Sequence, residues 1–276
     1  MATSITEEKN LSKRIADVGP LPKRMLPPIE GYENLPVVTL EEAVKPLVTI
    51  VPKVERNVYI VKQNCEDPAD GLTPDESGSI MLYTYESIPH EDSLYVKLNE
   101  TLRSEQRKRL FPWFLYLRLI LTALARLPSE SRPVFRGVKE NLWSEYVEGR
   151  TLVWWGFSSC TLSIGVLEND QFLGKKGDRT LFQIKCIAAK NITKHSLIPS
   201  EDEMLLLPAR KFKVVSCLDT SHGLHIIQLT ELQPSYDLLE PVPLPSPLIV
   251  RHGELTKKSI EDNLQPSIVL AKASLY

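Results

Sequence analysis

Cysteine is scarce in this chain. Four occur in 276 residues, Cys65, Cys160, Cys186 and Cys217, too far apart for metal-ligand spacing, and the five histidines show no such spacing either. A metal centre is therefore not expected. A G-x-G-x-x-G loop is absent, which argues against a hydride-transfer enzyme of the dinucleotide-binding α/β type. Charge of one sign is lacking too: 33 basic side chains face 35 acidic ones, so no global field favours nucleic acid. The longest greasy run, FPWFLYLRLILTALARL at residues 111–127, is interrupted by Pro112 and Arg118 and is too short to span a bilayer; it reads as a buried amphipathic helix. The start, MATSITEEKNLSKRIADV, lacks the apolar core of a secretory signal. These absences together lead us to expect a reducing, cytoplasmic setting, with no membrane and no nucleic acid among the partners; a monomer is the expected state. A Cys65–Cys217 disulfide would require an oxidising compartment, and so secretion with a leader already removed.

The composition, 42% hydrophobic and 25% charged, is that of an ordinary globular protein. Residues 1–35 carry charges and prolines without a sustained period and read as a flexible N-terminal lead that can lie across the domain. A domain is expected over 36–235, and a proline-rich C-terminal tail over 236–276. The stretch VTLEEAVKPLVTIVPKVERNVYIVKQN reads as a short helix with further helical or irregular packing. At LTPDESGSIMLYTYES, Thr73 as N-cap, Pro74 at the first helical position and Glu76 as capping-box acid start a helix. Two more helices follow, with a break near Pro112. After Pro128 the pattern changes to strands: SRPVFRGV, LVWWGFSSCT, TLFQIKCIAA, then EMLLL, KFKVVSCL and LHIIQLTEL as an antiparallel meander. A helical half followed by a strand-rich half gives an α+β fold, the helices packed on a mixed, mainly antiparallel β-sandwich.

Three polar interruptions of apolar strands draw the eye. Arg136 in VFRGV, taken alone, fits a rim arginine; Ser158 and Ser159 fit a strand end; Glu201 and Glu203 fit a solvated strand start. Taken together they offer a fixed cation, a small hydroxyl and two carboxylates, which at i and i+2 of one strand would lie side by side. An arginine fork suits phosphate oxygens, and carboxylates stabilise oxocarbenium-like transition states and hold sugar hydroxyls. Phosphate, ribose and a leaving base describe a dinucleotide such as NAD.

In that order, VFRGV, GFSSCT and EDEMLLLPARKFKV resemble the R-S-E signature of the mono-ADP-ribosyltransferases, a group with arginine-specific vertebrate ecto-enzymes and bacterial toxins; the resemblance spans residues 75–232. It implies an ADP-ribosyltransferase fold and transfer of ADP-ribose from NAD, used as a substrate, to a protein with an accessible arginine. It also implies roles. Arg136 would pair with the NAD phosphates and Gly137 would let backbone approach the nicotinamide amide. Ser159 would orient Glu203, with Ser158 as the alternative register. Glu203 would bind the nicotinamide-ribose 2′-hydroxyl and stabilise the oxocarbenium ion, and Glu201 would position the acceptor guanidinium. Phe172 is the candidate to stack on nicotinamide, a core position being the other reading. The loop Lys194, His195, Ser196, Leu197 would touch the acceptor. Cys160 and Thr161 stand where the family commonly has Thr and Ser, and NLWSEYVEG would be a compact version of the intervening helix. An NAD glycohydrolase and a non-catalytic NAD-binding or interaction module of the same fold stay open as alternatives.

Overall fold

A computed structural model describes residues 14–169, 172–220 and 222–243. The helical half comprises α1 (Leu40–Val44), α2 (Val54–Lys62), α3 (Pro74–Thr84), α4 (Leu94–Arg103) and α5 (Phe114–Arg126). The capping box at α3 forms as the sequence requires: Thr73 Oγ1 accepts from the Glu76 N–H at 3.2 Å, and the Thr73 N–H donates to Glu76 at 2.8 Å. Glu76 also receives Arg126 Nη1 at 2.7 Å, which ties the start of α3 to the end of α5. Pro112 falls within a 3₁₀ stretch, Arg107–Trp113, so the greasy run becomes α-helical only from Phe114. α5 is buried along most of its length and packs on α1 and α3 in one apolar cluster that includes the fully buried Trp113, Tyr116 and Ile120. No helix among the described residues is long and apolar enough to cross a membrane.

The strands are β1 (Ser129–Glu130), β2 (Pro133–Val138), β3 (Thr151–Trp154), β4 (Ser158–Thr161), β5 (Arg179–Lys185), β6 (Ala189–Asn191), β7 (Glu203–Leu206), β8 (Arg210–Asp219) and β9 (Leu224–Leu232). A four-residue helix, α6 (Ile164–Leu167), lies between β4 and β5. The sheet order is β1-β6-β7-β4-β2-β5-β9-β8-β3, with β5 and β9 parallel and the other pairs antiparallel. Phe182, Ile184, Met204, Phe212 and Ile227 fill the sandwich interior, while Leu205 and Phe157 face the helices.

Three expectations differ from this architecture. LVWWGFSSCT is two strands, because the chain leaves β3 at Trp155–Gly156–Phe157 and β4 joins a different partner, β7. The meander holds only for the β8–β9 hairpin; β7 pairs with β4 and β6, not with β8. Pro208 removes a donor and Ala209 adopts φ 61°, so the link turns the chain out of β7's plane toward β3 and β9. NLWSEYVEG holds a single 3₁₀ turn, Trp143–Glu145, instead of a compact helix. The four cysteines are free thiols, Cys65 lying in the helical core beside Met81 and Cys217 donating to the Tyr146 carbonyl on the sandwich side.

Candidate active site

Glu203 opens β7 and is fully buried; Glu201 is 2% exposed. The expected i, i+2 strand geometry does not bring them together. Glu201 ends a 3₁₀ turn, Pro199–Glu201, and Asp202 adopts a left-handed conformation (φ 50°, ψ 47°) that folds the chain back before the strand begins. The two carboxylates converge on one cation. Nη2 of Arg14 donates to Glu201 Oε2 at 2.8 Å and to Glu203 Oε2 at 2.9 Å, while its Nε reaches Glu203 Oε1 at 3.3 Å. Arg14 Nη1 donates to the Thr84 carbonyl and lies 3.9 Å from Glu86. This relieves the like-charge repulsion: a planar guanidinium fork bridges both buried acids and offsets one of their two charges. Burial alone would depress the Arg14 pKa, but Glu203 and then Glu201 outweigh it and hold the group protonated.

The β4–β7 register places Thr161 opposite Glu203 and Ser159 opposite Leu205. Ser159 and Thr161 therefore share Glu203's face of the sheet, whereas Cys160, in the sandwich core with Met204 and Leu206, points the other way. Ser158 alternates with Ser159 and takes Cys160's side. The Ser159 hydroxyl is buried and makes no hydrogen bond of normal geometry among the described residues. Both Glu203 oxygens are taken by Arg14.

Arg136, on β2, is 3% exposed; its Nη1 donates to the Ser159 carbonyl at 3.0 Å and its Nη2 to the Asp17 carbonyl. A second arginine stands beside it. Arg103, at the end of α4, donates to the Asp17 carboxylate at 3.0 Å and to the Asp17 carbonyl at 3.1 Å. Asn99, one turn earlier on the same helix face, donates to that carboxylate at 2.7 Å and accepts from the Phe157 N–H at 2.9 Å. Two arginines and an amide thus line a cleft already receiving a carboxylate, a donor set that suits phosphate oxygens.

Gly137 follows Arg136 on the strand. A Cβ built there would stand 2.8 Å from the Cβ of Leu173, so the glycine admits the 172–178 loop onto β2. Phe172, 1% exposed, packs in a small cluster with Leu167, Leu173 and Ile15. The loop expected to touch an acceptor is braced from behind: His195 is fully buried, its Nδ1 2.9 Å from Ser77 Oγ and its Nε2 3.3 Å from Asp70, while Lys194 pairs with Asp70 at 2.9 Å. His195 is therefore a buried support for the loop. Arg14, Asp17, Asn99 and Arg103 escaped sequence reasoning. The i, i+4 spacing of Asn99 and Arg103 on a helix was the available signal; Arg14 and Asp17 lie in a segment without periodicity.

The family profile of NAD:arginine ADP-ribosyltransferases matches residues 40–236. A search of curated protein sequences finds no significant match. Among solved structures, the ADP-ribosyltransferase HopU1 of Pseudomonas syringae pv. tomato is 19% identical, with 63% of this chain and 87% of that chain covered at a TM-score of 0.51. The eucaryotic mono-ADP-ribosyltransferase ART2.2 is 20% identical over 72% and 85% of the two chains, at 0.51. The type III effector XopAI of Xanthomonas axonopodis pv. citri is 16% identical over 70% and 88%, at 0.50. These likenesses show a shared fold, and the profile match over most of the sequence decides the family. The chain belongs to the NAD:arginine ADP-ribosyltransferases.

Proposed function

We propose that the protein is a mono-ADP-ribosyltransferase that moves ADP-ribose from NAD to arginine on a protein, releasing nicotinamide. The observation that carries this reading is the convergence of Glu201 and Glu203 on a single guanidinium, at 2.8 and 2.9 Å, beside the Arg103–Arg136 pair. One carboxylate would serve the donor and its neighbour an acceptor of the type that Arg14 itself presents. In this reading Arg136 and Arg103 hold the NAD diphosphate. The bond from ribose C1′ to the nicotinamide nitrogen breaks, and Glu203 stabilises the positive charge that develops on the ribose. The acceptor guanidinium nitrogen forms the new bond to C1′, and Glu201 orients it and takes its proton. Ser159, freed from its present silence once Glu203 binds ribose, would hold that carboxylate in place. Phe172 would offer its ring to nicotinamide.

The test is incubation with labelled NAD, with and without agmatine as a small guanidinium acceptor, following nicotinamide and ADP-ribosyl products. Wild type is expected to form ADP-ribosyl-agmatine. Glu203→Gln should lose about 10²–10³-fold in both transfer and NAD hydrolysis, the usual cost of removing a group that stabilises transition-state charge. Glu201→Gln should lose transfer while keeping measurable hydrolysis. Equal loss of both activities in the two variants would reject this division of labour, and free ADP-ribose as the sole wild-type product would identify a glycohydrolase.

A further inference from the structure

The two acids and the two arginines that the proposed reaction needs are already engaged by residues 14–17 of the same chain. Arg14 holds both acids, the Asp17 carbonyl takes Arg136, and the Asp17 carboxylate takes Arg103 and Asn99. Ile15, fully buried, lies in the cluster with Phe172. The segment places a cation against the two acids and an anion against the two arginines. A substrate whose ribose turns positive and whose phosphates are negative has the same polarity along the same cleft. What stays open beside Arg103 and Arg136 is a cavity of about 30 Å³, room for about two waters and not for a dinucleotide.

We propose that residues 14–22 are a built-in occupant of the catalytic cleft, so that the described state is latent and NAD binds only when this segment leaves. The inference rests on the cleft being the NAD site. Arg14, buried at 1% and bonded to the pair of acids, acts as a substrate mimic that the enzyme carries itself.

The segment is built to come away. Its regular structure is one 3₁₀ turn, Arg14–Ala16, followed by the irregular stretch Gly19–Pro20–Leu21–Pro22. Past it, Lys23, Arg24 and Met25 are exposed, and the chain is anchored again only at Leu26, Ile29 and Tyr32, which are buried in the helical core. An exposed linker thus separates the occupant from a firmly packed attachment. Burying three charges against one another returns little net stabilisation, since desolvation offsets most of the attraction. A ligand that competes for the same groups can therefore shift the equilibrium toward the open form.

NAD affinity, measured by calorimetry on the full chain, tests this without depending on turnover. Three proteins are compared: wild type, the Arg14→Ala/Asp17→Ala double variant, and a chain carrying a specific protease site between Lys23 and Arg24 that is cut after folding. Apparent affinity scales with the fraction of open molecules, so the double variant and the cut chain are expected to bind NAD about tenfold or more tightly than wild type. A synthetic peptide of residues 10–24 added to the cut chain should weaken binding again, and its Arg14→Ala version should not. The cut chain keeps every contact residue, so it decides the matter if the double variant fails to fold. Equal affinity in wild type and cut chain, with no effect of the peptide, overturns the proposal. Absence of NAD binding in all three overturns the reading of the cleft on which it rests.

Discussion

Gly137 shows how one missing carbon positions the site. Its neighbour Arg136 must stay on β2 to reach the Ser159 carbonyl, and the 172–178 loop must lie on the same strand to present Phe172. A methyl group at 137 would stand 2.8 Å from Leu173 Cβ, closer than two carbons can approach, and the obstacle is the root of a side chain that cannot swing away. Gly137→Ala is therefore expected to destabilise the fold by about 1–3 kcal/mol, the usual cost of overpacking a filled interior, measured by urea denaturation. Its far-ultraviolet spectrum should stay native, because the strand backbone itself is compatible with alanine. At the same scale Glu201 and Glu203 illustrate how a single left-handed residue, Asp202, makes two carboxylates converge where a straight strand would have left them only parallel.

Among the elements, the loop after β6 depends on its contact with α3. His195 sits between Ser77 on the helix and Asp70 ahead of it, with Lys194 also facing Asp70. Burial lowers the His195 pKa from its ordinary value, more than Asp70 raises it, and Lys194 adds to the depression. The native state thus favours neutral imidazole. Lys194 first, and then the hydrogen bond from His195, hold the Asp70 carboxyl below its usual range against its slight burial, so Asp70 stays charged while the histidine titrates. With the folded value below the unfolded one, the unfolded chain binds the proton first. The stabilisation is complete above about pH 6.5 and is lost as pH falls through the folded value. The melting temperature should accordingly drop between pH 7.5 and pH 5.5, and His195→Gln should flatten that dependence. A wild-type profile as flat as the variant's would show that the brace does not titrate.

For the whole molecule, the thiols report on how the two apolar cores open. Cys65 belongs to the helical core, Cys160 and Cys186 to the sandwich, and all three are buried; Cys217 is partly exposed. Burial pushes the Cys160 thiol up to about 12 and raises the other three as well. Because the thiolate is the reactive form, native protein should be labelled by a thiol reagent first at Cys217, and slowly there. Labelling of Cys65, Cys160 and Cys186 should follow unfolding; if the helical core and the sandwich open together, the three should share one rate. Mass spectrometry of timed samples in increasing urea measures this. Rapid native labelling at Cys160 would show that the sandwich opens locally at β4.

Local patterns in the sequence determined a good deal. The capping box at Thr73, the α+β division near Pro128, the strands around Arg136, Ser159 and Glu203 and the greasy helix ending at Arg126 follow from periodicity, turn residues and side-chain chemistry within a few positions of one another. The strand order did not, since β7 passing by β8 to pair with β4 depends on which faces the two cores bury, a property of no single segment. The partners of the two glutamates also escaped. Arg14 lies more than 180 residues from the two glutamates and Asp17 more than 80 from Asn99, Arg103 and Arg136, in a stretch whose regular structure is a single 3₁₀ turn. A charged side chain in such a stretch looks solvated until the fold supplies opposite charges in a dry cleft, and only the tertiary structure brought those charges together.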